Sequence, residues 1–317
     1  MKQIISKIRH ARRVLWKKLS RRLLHWRMVG RSESERLLAE RLLRGKEQSE
    51  TLGDADIVVV SFGKSGRTWL RVMISQGLRL HWNVPGEDML GFDNFHNMNG
   101  EVPKVFFTHD NYIKDYLGRP DSKAPFYDKK VVLLARDPRD TSVSNYFQWK
   151  FRMKPEKKKI NNYPPEGSDI SVFEYLTSDY GGSMADIMRF LNRWAAESDR
   201  LRDFHLVRYE DLRREPGDVL RGIFDFMAIP VSDEHVREAV AFGSYDNMKK
   251  MEERNAGRAS GGRLAPGDKD NPDSFKVRRA KVGGYRDYLE DDQVLVVDGI
   301  VNSNLDPRFG YTTSTQG

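Results

Sequence analysis

Apolar positions follow two different periods along this chain. Near the N-terminus Ile4, Ile8, Ala11, Leu15, Leu19, Leu23 and Trp26 recur at steps of three or four. That spacing puts them on one face of a helix. Further on come four short, unbroken apolar runs, Ile57–Phe62, Val105–Thr108, Val131–Ala135 and Leu206–Tyr209, rich in Val and Phe. Between and after them the pattern predicts helices over 68–80, 140–151, 184–200, 216–228 and 232–241. In the fourth of these Val219, Ile223 and Phe226 share a face, and Pro216 suits the first turn. Short buried runs alternating with helices predict βαβ units, hence an α/β fold with a parallel sheet.

Polar segments divide these elements. Residues 47–55, EQSETLGDA, read as a linker. Three long stretches, 83–103, 152–169 and 254–274, read as loops, the kind that serve as lids or binding segments. Residues 311–317 read as a frayed tail. The 317 residues are enough for one large domain with an appendage, and they include no Cys. That excludes disulfides, thiolate metal sites and a thiol nucleophile, and fits a reducing compartment. No apolar run reaches the roughly 18 residues of a membrane-spanning helix.

Charge sharpens the division. The formal net charge is +8, but residues 1–46 hold 15 basic and 3 acidic side chains, a net of +12, leaving the remainder at −4. The protein reads as a mildly acidic body with a basic amphipathic arm over 1–46. Lys7, Arg12, Arg13, Lys17, Lys18, Arg21 and Arg22 fill much of the surface beside the apolar stripe. Such a helix suits an anionic membrane surface, through residues 1–32. Docking on its own domain and a transit-peptide role stay open; nucleic-acid binding is the weaker expectation.

In an open parallel sheet, ligands bind outside the carboxyl ends of the strands. After the first run comes Gly63-Lys64-Ser65-Gly66-Arg67-Thr68; after the second, His109; after the third, Arg136; and the fourth ends in Tyr209. A glycine-bearing turn between strand and helix offers backbone N–H groups to an anion, and the helix N-terminus adds positive potential. The turn is therefore phosphate-binding and P-loop-like. It is not a full Walker A loop, because Val58 stands where the leading Gly would be. His109 is the side chain suited to take a proton near neutral pH. Asp140 is expected to cap the helix after the third strand.

Together these segments resemble the PAPS-dependent sulfotransferases of the cytosolic and bacterial type, PAPS being 3′-phosphoadenosine 5′-phosphosulfate. The resemblance rests on Gly63-Lys64-Ser65-Gly66-Arg67-Thr68-Trp69, on Arg136 with Ser144 eight residues later, and on Tyr209-Glu210-Asp211-Leu212. It continues with Ser244-Tyr245-Asp246-Asn247-Met248 and with Arg278-Arg279-Ala280-Lys281-Val282-Gly283-Gly284-Tyr285-Arg286. It implies a sulfotransferase domain over 56–310 that uses PAPS as co-substrate and no metal. By resemblance Lys64, Ser65, Gly66, Arg67 and Thr68 cradle the 5′-phosphosulfate, and Trp69 stacks on the adenine. Arg136, Ser144, Arg278 and Arg279 hold the 3′-phosphate. Tyr209, Ser244, Tyr245 and Met248 line the nucleoside, His109 is the general base, and Lys64 stabilises the leaving phosphate.

Departures from the family pattern mark a divergent branch. Arg67 stands where Thr is frequent, Ala280 replaces a Gly, Gly284-Tyr285 replaces Asp-Trp, and Phe107 replaces the Lys usual before the T-H pair. The acceptor, a hydroxyl or an amine, stays open among small molecules, lipids and glycans, with Trp82, Phe92, Phe95 and Tyr163 as candidates to line its cleft. A P-loop kinase and a non-catalytic membrane-surface adaptor are the rival readings. The expected location is cytoplasmic, with a peripheral hold on membrane.

Overall fold

The computed structural model describes residues 2–119, 121–254, 264, 268, 270–277, 279 and 281–312; side chains of 2–7, 9–11, 13, 14, 17 and 18 are outside the description. Four strands form its sheet: β1 (Ile57–Ser61), β2 (Val105–Thr108), β3 (Lys130–Ala135) and β4 (Asp203–Arg208). They run in the order β2-β1-β3-β4, all parallel. The register pairs Val60 with Thr108 and with Leu133, and Ala135 with Arg208. All four carboxyl ends therefore meet along one rim, as the alternating pattern predicts.

The helices are α1 (Lys2–Arg27), α2 (Glu33–Gly53), α3 (Arg67–Trp82), α4 (Ile113–Leu117), α5 (Pro138–Arg152), α6 (Pro155–Ile160), α7 (Val172–Thr177) and α8 (Met184–Glu197). After β4 come α9 (Tyr209–Arg214), α10 (Pro216–Phe226), α11 (Asp233–Phe242), α12 (Tyr245–Glu253) and α13 (Asp291–Asn304). Helices cover both sheet faces, which explains why the central strands are continuous apolar runs rather than alternating ones. Val58, Val60, Val131 and Leu133 pack with Trp149 of α5, with Trp194 of α8 and with α13. Ile57, Val59, Val132 and Leu134 face Leu70 and Ile74 of α3 and Ile223 and Phe224 of α10. β4 reaches back to Asp203, three residues before the apolar run begins, because pairing with β3 extends it past the half-buried Phe204 and His205. Tyr209 opens α9 instead of closing the strand.

The expected linker at 47–55 is not one. Residues 47–53 are the last two turns of α2, and Leu52 is 3% exposed in the core. α2 starts with a capping box, Ser32 accepting from Glu35 N–H while Glu35 reaches back to Ser32 N–H. It packs on α4, so the second half of the expected arm belongs to the body. Gly45 lies so close to the next helix that a Cβ there would stand 2.3 Å from the Tyr112 carbonyl oxygen. Arg41 and Arg44 lie over the Tyr112 ring, and Arg41 pairs with Asp115 at 2.8 Å. α1 meets α2 through Arg21, paired with Glu47 at 3.0 Å. Leu15, Trp16, Leu19, Leu23 and Trp26 of α1 remain exposed.

The loop expectations are also revised in part. Residues 83–103 lack regular structure yet bury Val84, Leu90, Phe95 and Val102. Residues 152–169 contain α6. Within 254–274, residues 255–263, 265–267 and 269 lie outside the described residues. The expected tail is anchored at its start: Tyr311 is buried and its hydroxyl donates to Glu210 at 2.6 Å.

Candidate active site

The loop after β1 is shaped by backbone strain. Lys64 has φ of 73° and Gly66 φ of 92°, both left-handed. A lysine there is unfavourable, so surrounding contacts must hold it. Arg136 Nη1 donates to the Lys64 carbonyl at 3.1 Å, and Asn145 Nδ2 donates to the Gly63 carbonyl at 3.0 Å. Across a planar trans peptide, C=O and N–H point opposite ways. Fixing these two carbonyls therefore aims the N–H groups of Lys64 and Ser65 away from Arg136 and Asn145. Gly66 is the N-cap of α3 with no side-chain cap. Its place requires glycine twice, by its φ and because a Cβ would stand 2.6 Å from the Tyr209 ring.

His109 leaves the end of β2 at the same rim. Its Nδ1 is 2.7 Å from the Ser61 carbonyl oxygen, an acceptor only, so Nδ1 carries the proton and donates. The Nε2 lone pair then faces Arg67 Nη2, 2.5 Å away, which donates to it. Burial, and after it the Arg67 guanidinium, hold the imidazole pKa well below its usual value. The ring is neutral at neutral pH, with its basic nitrogen toward the cavity side.

The loop and His109 open into one cavity of about 500 Å³. Lys64, Gly66, Arg67, Thr68, Trp69, His109, Arg136, Ser144, Tyr209, Tyr245, Met248 and Arg279 all line it. Two expected residues do not line it. Ser65 is 2% exposed beneath the loop, and Ser244 caps α12 by accepting from Asn247 N–H. Arg278 lies outside the described residues. Trp69 lies edge-on to Tyr209 with centroids 6.0 Å apart, and its Nε1 donates to the Gly243 carbonyl at 2.6 Å. Arg136 lies 4.3 Å over the Tyr209 ring, and its Nη2 donates to the Lys281 carbonyl at 3.4 Å. Arg279 pairs with Asp287 at 2.9 Å.

Asp140 does not cap α5. Asp137 does, accepting from Arg139 N–H, with Pro138 at the first helical position. Asp140 lies one turn in and accepts from the backbone N–H groups of Gly283 and Tyr285 at 2.8 and 2.9 Å. It fastens the last signature segment to the rim. Among the aromatic candidates Tyr163 lines the cavity, whereas Phe95 is a core residue at 1% exposure. Asn145 and Arg41 are wall residues that sequence reasoning passed over. An Asn inside a helix carries no strand-end signal, and Arg41 lies in the segment read as an arm.

A family model for the sulfotransferase domain matches residues 54–307, most of the chain. The chain belongs to the sulfotransferase family. Arabidopsis thaliana cytosolic sulfotransferase 12 is 24% identical over 268 residues, covering 80% of this chain and 78% of the relative. Cytosolic sulfotransferase 16 of the same plant is 24% identical over 298 residues, covering 84% and 81%. Among solved structures, a mouse sulfotransferase complexed with PAP superposes with a TM-score of 0.53 at 19% identity, over 80% of this chain and 89% of that one. Retinol dehydratase in complex with androsterone and the inactive cofactor PAP gives 0.51 at 16% identity, over 78% and 80%. These likenesses establish a shared fold; α1 lies N-terminal to the matched segment. Among the described residues of this sulfotransferase no helix is long and apolar enough to cross a membrane, and no cluster of three His or acidic side chains is arranged for a metal.

Proposed function

We propose that this chain transfers the sulfuryl group of PAPS to a hydroxyl acceptor, giving a sulfate ester and 3′,5′-ADP (PAP). The observation that carries the reading is the shared cavity. A strained, glycine-capped loop at a helix N-terminus and a neutral His open into it from adjacent strand ends. The loop suits an anionic phosphosulfate, and the wall beyond it, with Arg136, Ser144, Tyr245 and Met248, has room for a nucleoside. PAPS supplies the activated sulfuryl group. His109 receives the acceptor's hydroxyl proton at Nε2, the nitrogen left unprotonated by the Ser61 contact. Arg67 withdraws from Nε2 as the acceptor enters. Lys64 sets positive charge beside the leaving phosphate, and Arg136 and Asn145 keep the loop in its strained shape. Positioning and fixed charge do most of this work, as in phosphoryl transfer.

Incubating the chain with sulfur-labelled PAPS and a cell extract should give a labelled product that separates from PAPS and inorganic sulfate. His109→Ala should lose the product while still binding PAP. A variant with normal turnover would remove His109 from the reaction, and tight binding of ATP but not PAP would favour a P-loop kinase instead.

A peripheral hold on anionic membrane through residues 1–32 is the second part of the reading, with a cytoplasmic address. It is favoured by the exposed Leu15, Trp16, Leu19, Leu23 and Trp26 on a strongly basic helix. Sedimentation with phosphatidylserine vesicles, compared with phosphatidylcholine alone, tests it; equal recovery in both pellets refutes an electrostatic hold.

A further inference from the structure

The half of the cavity beyond His109 is walled by α2, α4, α6 and α8, and it is cationic. Arg41, Lys114, Lys123, Lys157, Arg189 and Arg193 line it, against Asp110 and Asp186. Both acids are already matched: Asp110 by Lys123 at 2.6 Å, and Asp186 by Arg189 at 3.6 Å. Arg41 is held by Asp115 at 2.8 Å, and Arg193 by Asp121 at 2.5 Å. The ammonium groups of Lys114 and Lys157 make neither an ion pair nor a hydrogen bond among the described residues. Lys114 is half-buried, and burial followed by the Arg193 charge lowers its pKa. Lys157 is exposed; its surroundings, then Arg44 and Arg67, lower its pKa as well. Six cations share this half of the cavity with four acids, Asp110, Asp186, Asp115 and Asp121, and that surplus of positive charge favours an anion.

We propose, resting on the sulfotransferase reading, that the acceptor is itself an oxyanion. Its hydroxyl reaches His109 while a carboxylate, sulfate or phosphate group on the same molecule settles between Lys114 and Lys157. Asn161, which accepts from the Tyr112 hydroxyl at 2.9 Å and donates to the Lys157 carbonyl at 3.0 Å, and Tyr163, whose hydroxyl donates to Asn145 at 3.3 Å, complete this wall. A purely apolar alcohol would strip water from these lysines and return nothing. Charge complementarity thus selects the acceptor by both attraction and penalty.

The test uses the full chain saturated with PAP, titrated calorimetrically with 2-naphthol, 6-hydroxy-2-naphthoate and 6-hydroxynaphthalene-2-sulfonate. The two anions should bind about tenfold tighter than the neutral naphthol, or better. The Lys114→Ala/Lys157→Ala double variant should erase the difference while keeping its affinity for PAP and its melting temperature. The carboxylate and sulfonate arms report which oxyanion suits the site. Equal affinities overturn the inference, including no detectable binding of any of the three, as does a preference that persists in the double variant. A chain that fails to bind PAP overturns the sulfotransferase reading, and this inference with it.

Discussion

Arg67 Nη2 donates to His109 Nε2 across 2.5 Å, so the first residue of α3 covers the nitrogen proposed to receive the acceptor's proton. The contact keeps the imidazole neutral, because a second positive charge beside the guanidinium is unfavourable; burial works in the same direction and more strongly. Activity should therefore persist as pH falls below the usual histidine pKa, and fail only when the depressed pKa is crossed. Arg67→Thr removes the repulsion and raises the His109 pKa. The acidic limb of the kcat/KM profile should move to higher pH. An unmoved limb would show that Arg67 does not govern this base. Turnover at alkaline pH should fall as well, since Arg67 lines the cavity and is proposed to help cradle the phosphosulfate.

Truncation should separate α1 from α2. Removing residues 1–31 leaves the Ser32–Glu35 capping box intact, so melting temperature and PAP affinity should hold. Removing 1–46 takes away Arg41 from the cavity wall and Gly45 from its close contact with Tyr112. That deletion should lower stability by several degrees and weaken acceptor binding. If both truncations melt alike, α2 is an arm after all.

The same two helices show what the sequence could and could not reveal. β1, β2 and β3 were legible because they are buried almost throughout, which leaves an unbroken apolar run, whereas β4 buries only Val207 and showed as a shorter run; the rim residues follow from where those runs stop. Lys64, His109, Arg136 and Tyr209 meet for that reason. The second half of α2 was illegible: it contributes Leu52 and a glycine to the core and half-buries the polar Glu47 and Gln48 while Glu50 faces solvent, so EQSETLGDA carries no helical stripe. Its partner is Tyr112, far away in sequence. Asp140 was misread for a similar reason. An acid near a helix start suggests a cap, whereas its actual partners, Gly283 and Tyr285, come from a segment no local pattern connects to it.

Gly66→Ala tests the loop. The substitution forces a Cβ into a left-handed position, which costs about 1–2 kcal/mol. It also drives that atom to 2.6 Å from the Tyr209 ring. Tyr209 or the loop must shift, and either movement spoils the convergence of backbone donors. PAP affinity should drop about tenfold or more, with only a modest fall in melting temperature. Unchanged affinity would mean that the loop geometry does not matter for the nucleotide.

Glu252 tests the far wall of the cavity. It is fully buried, and its carboxylate accepts from Lys276 N–H at 2.7 Å, from Val277 N–H at 2.8 Å and from Arg152 Nη1 at 3.2 Å. Arg152 in turn donates to the Ser274 carbonyl at 2.7 Å. One carboxylate thus ties α12 and α5 to the 274–277 segment, which contributes Lys276 and Val277 to the wall. Glu252→Ala strands a buried guanidinium and two backbone donors. Breaking a buried pair in this way costs about 3–5 kcal/mol, so the melting temperature should drop. Glu252→Gln keeps the volume and one acceptor oxygen, and should lose less. In either variant the 274–277 segment should become the earliest site of limited proteolysis, and KM for PAPS should rise more than kcat falls, because neither His109 nor Lys64 contacts Glu252. A kcat loss with KM unchanged would instead assign Glu252 an effect on the chemical step, which its position does not predict.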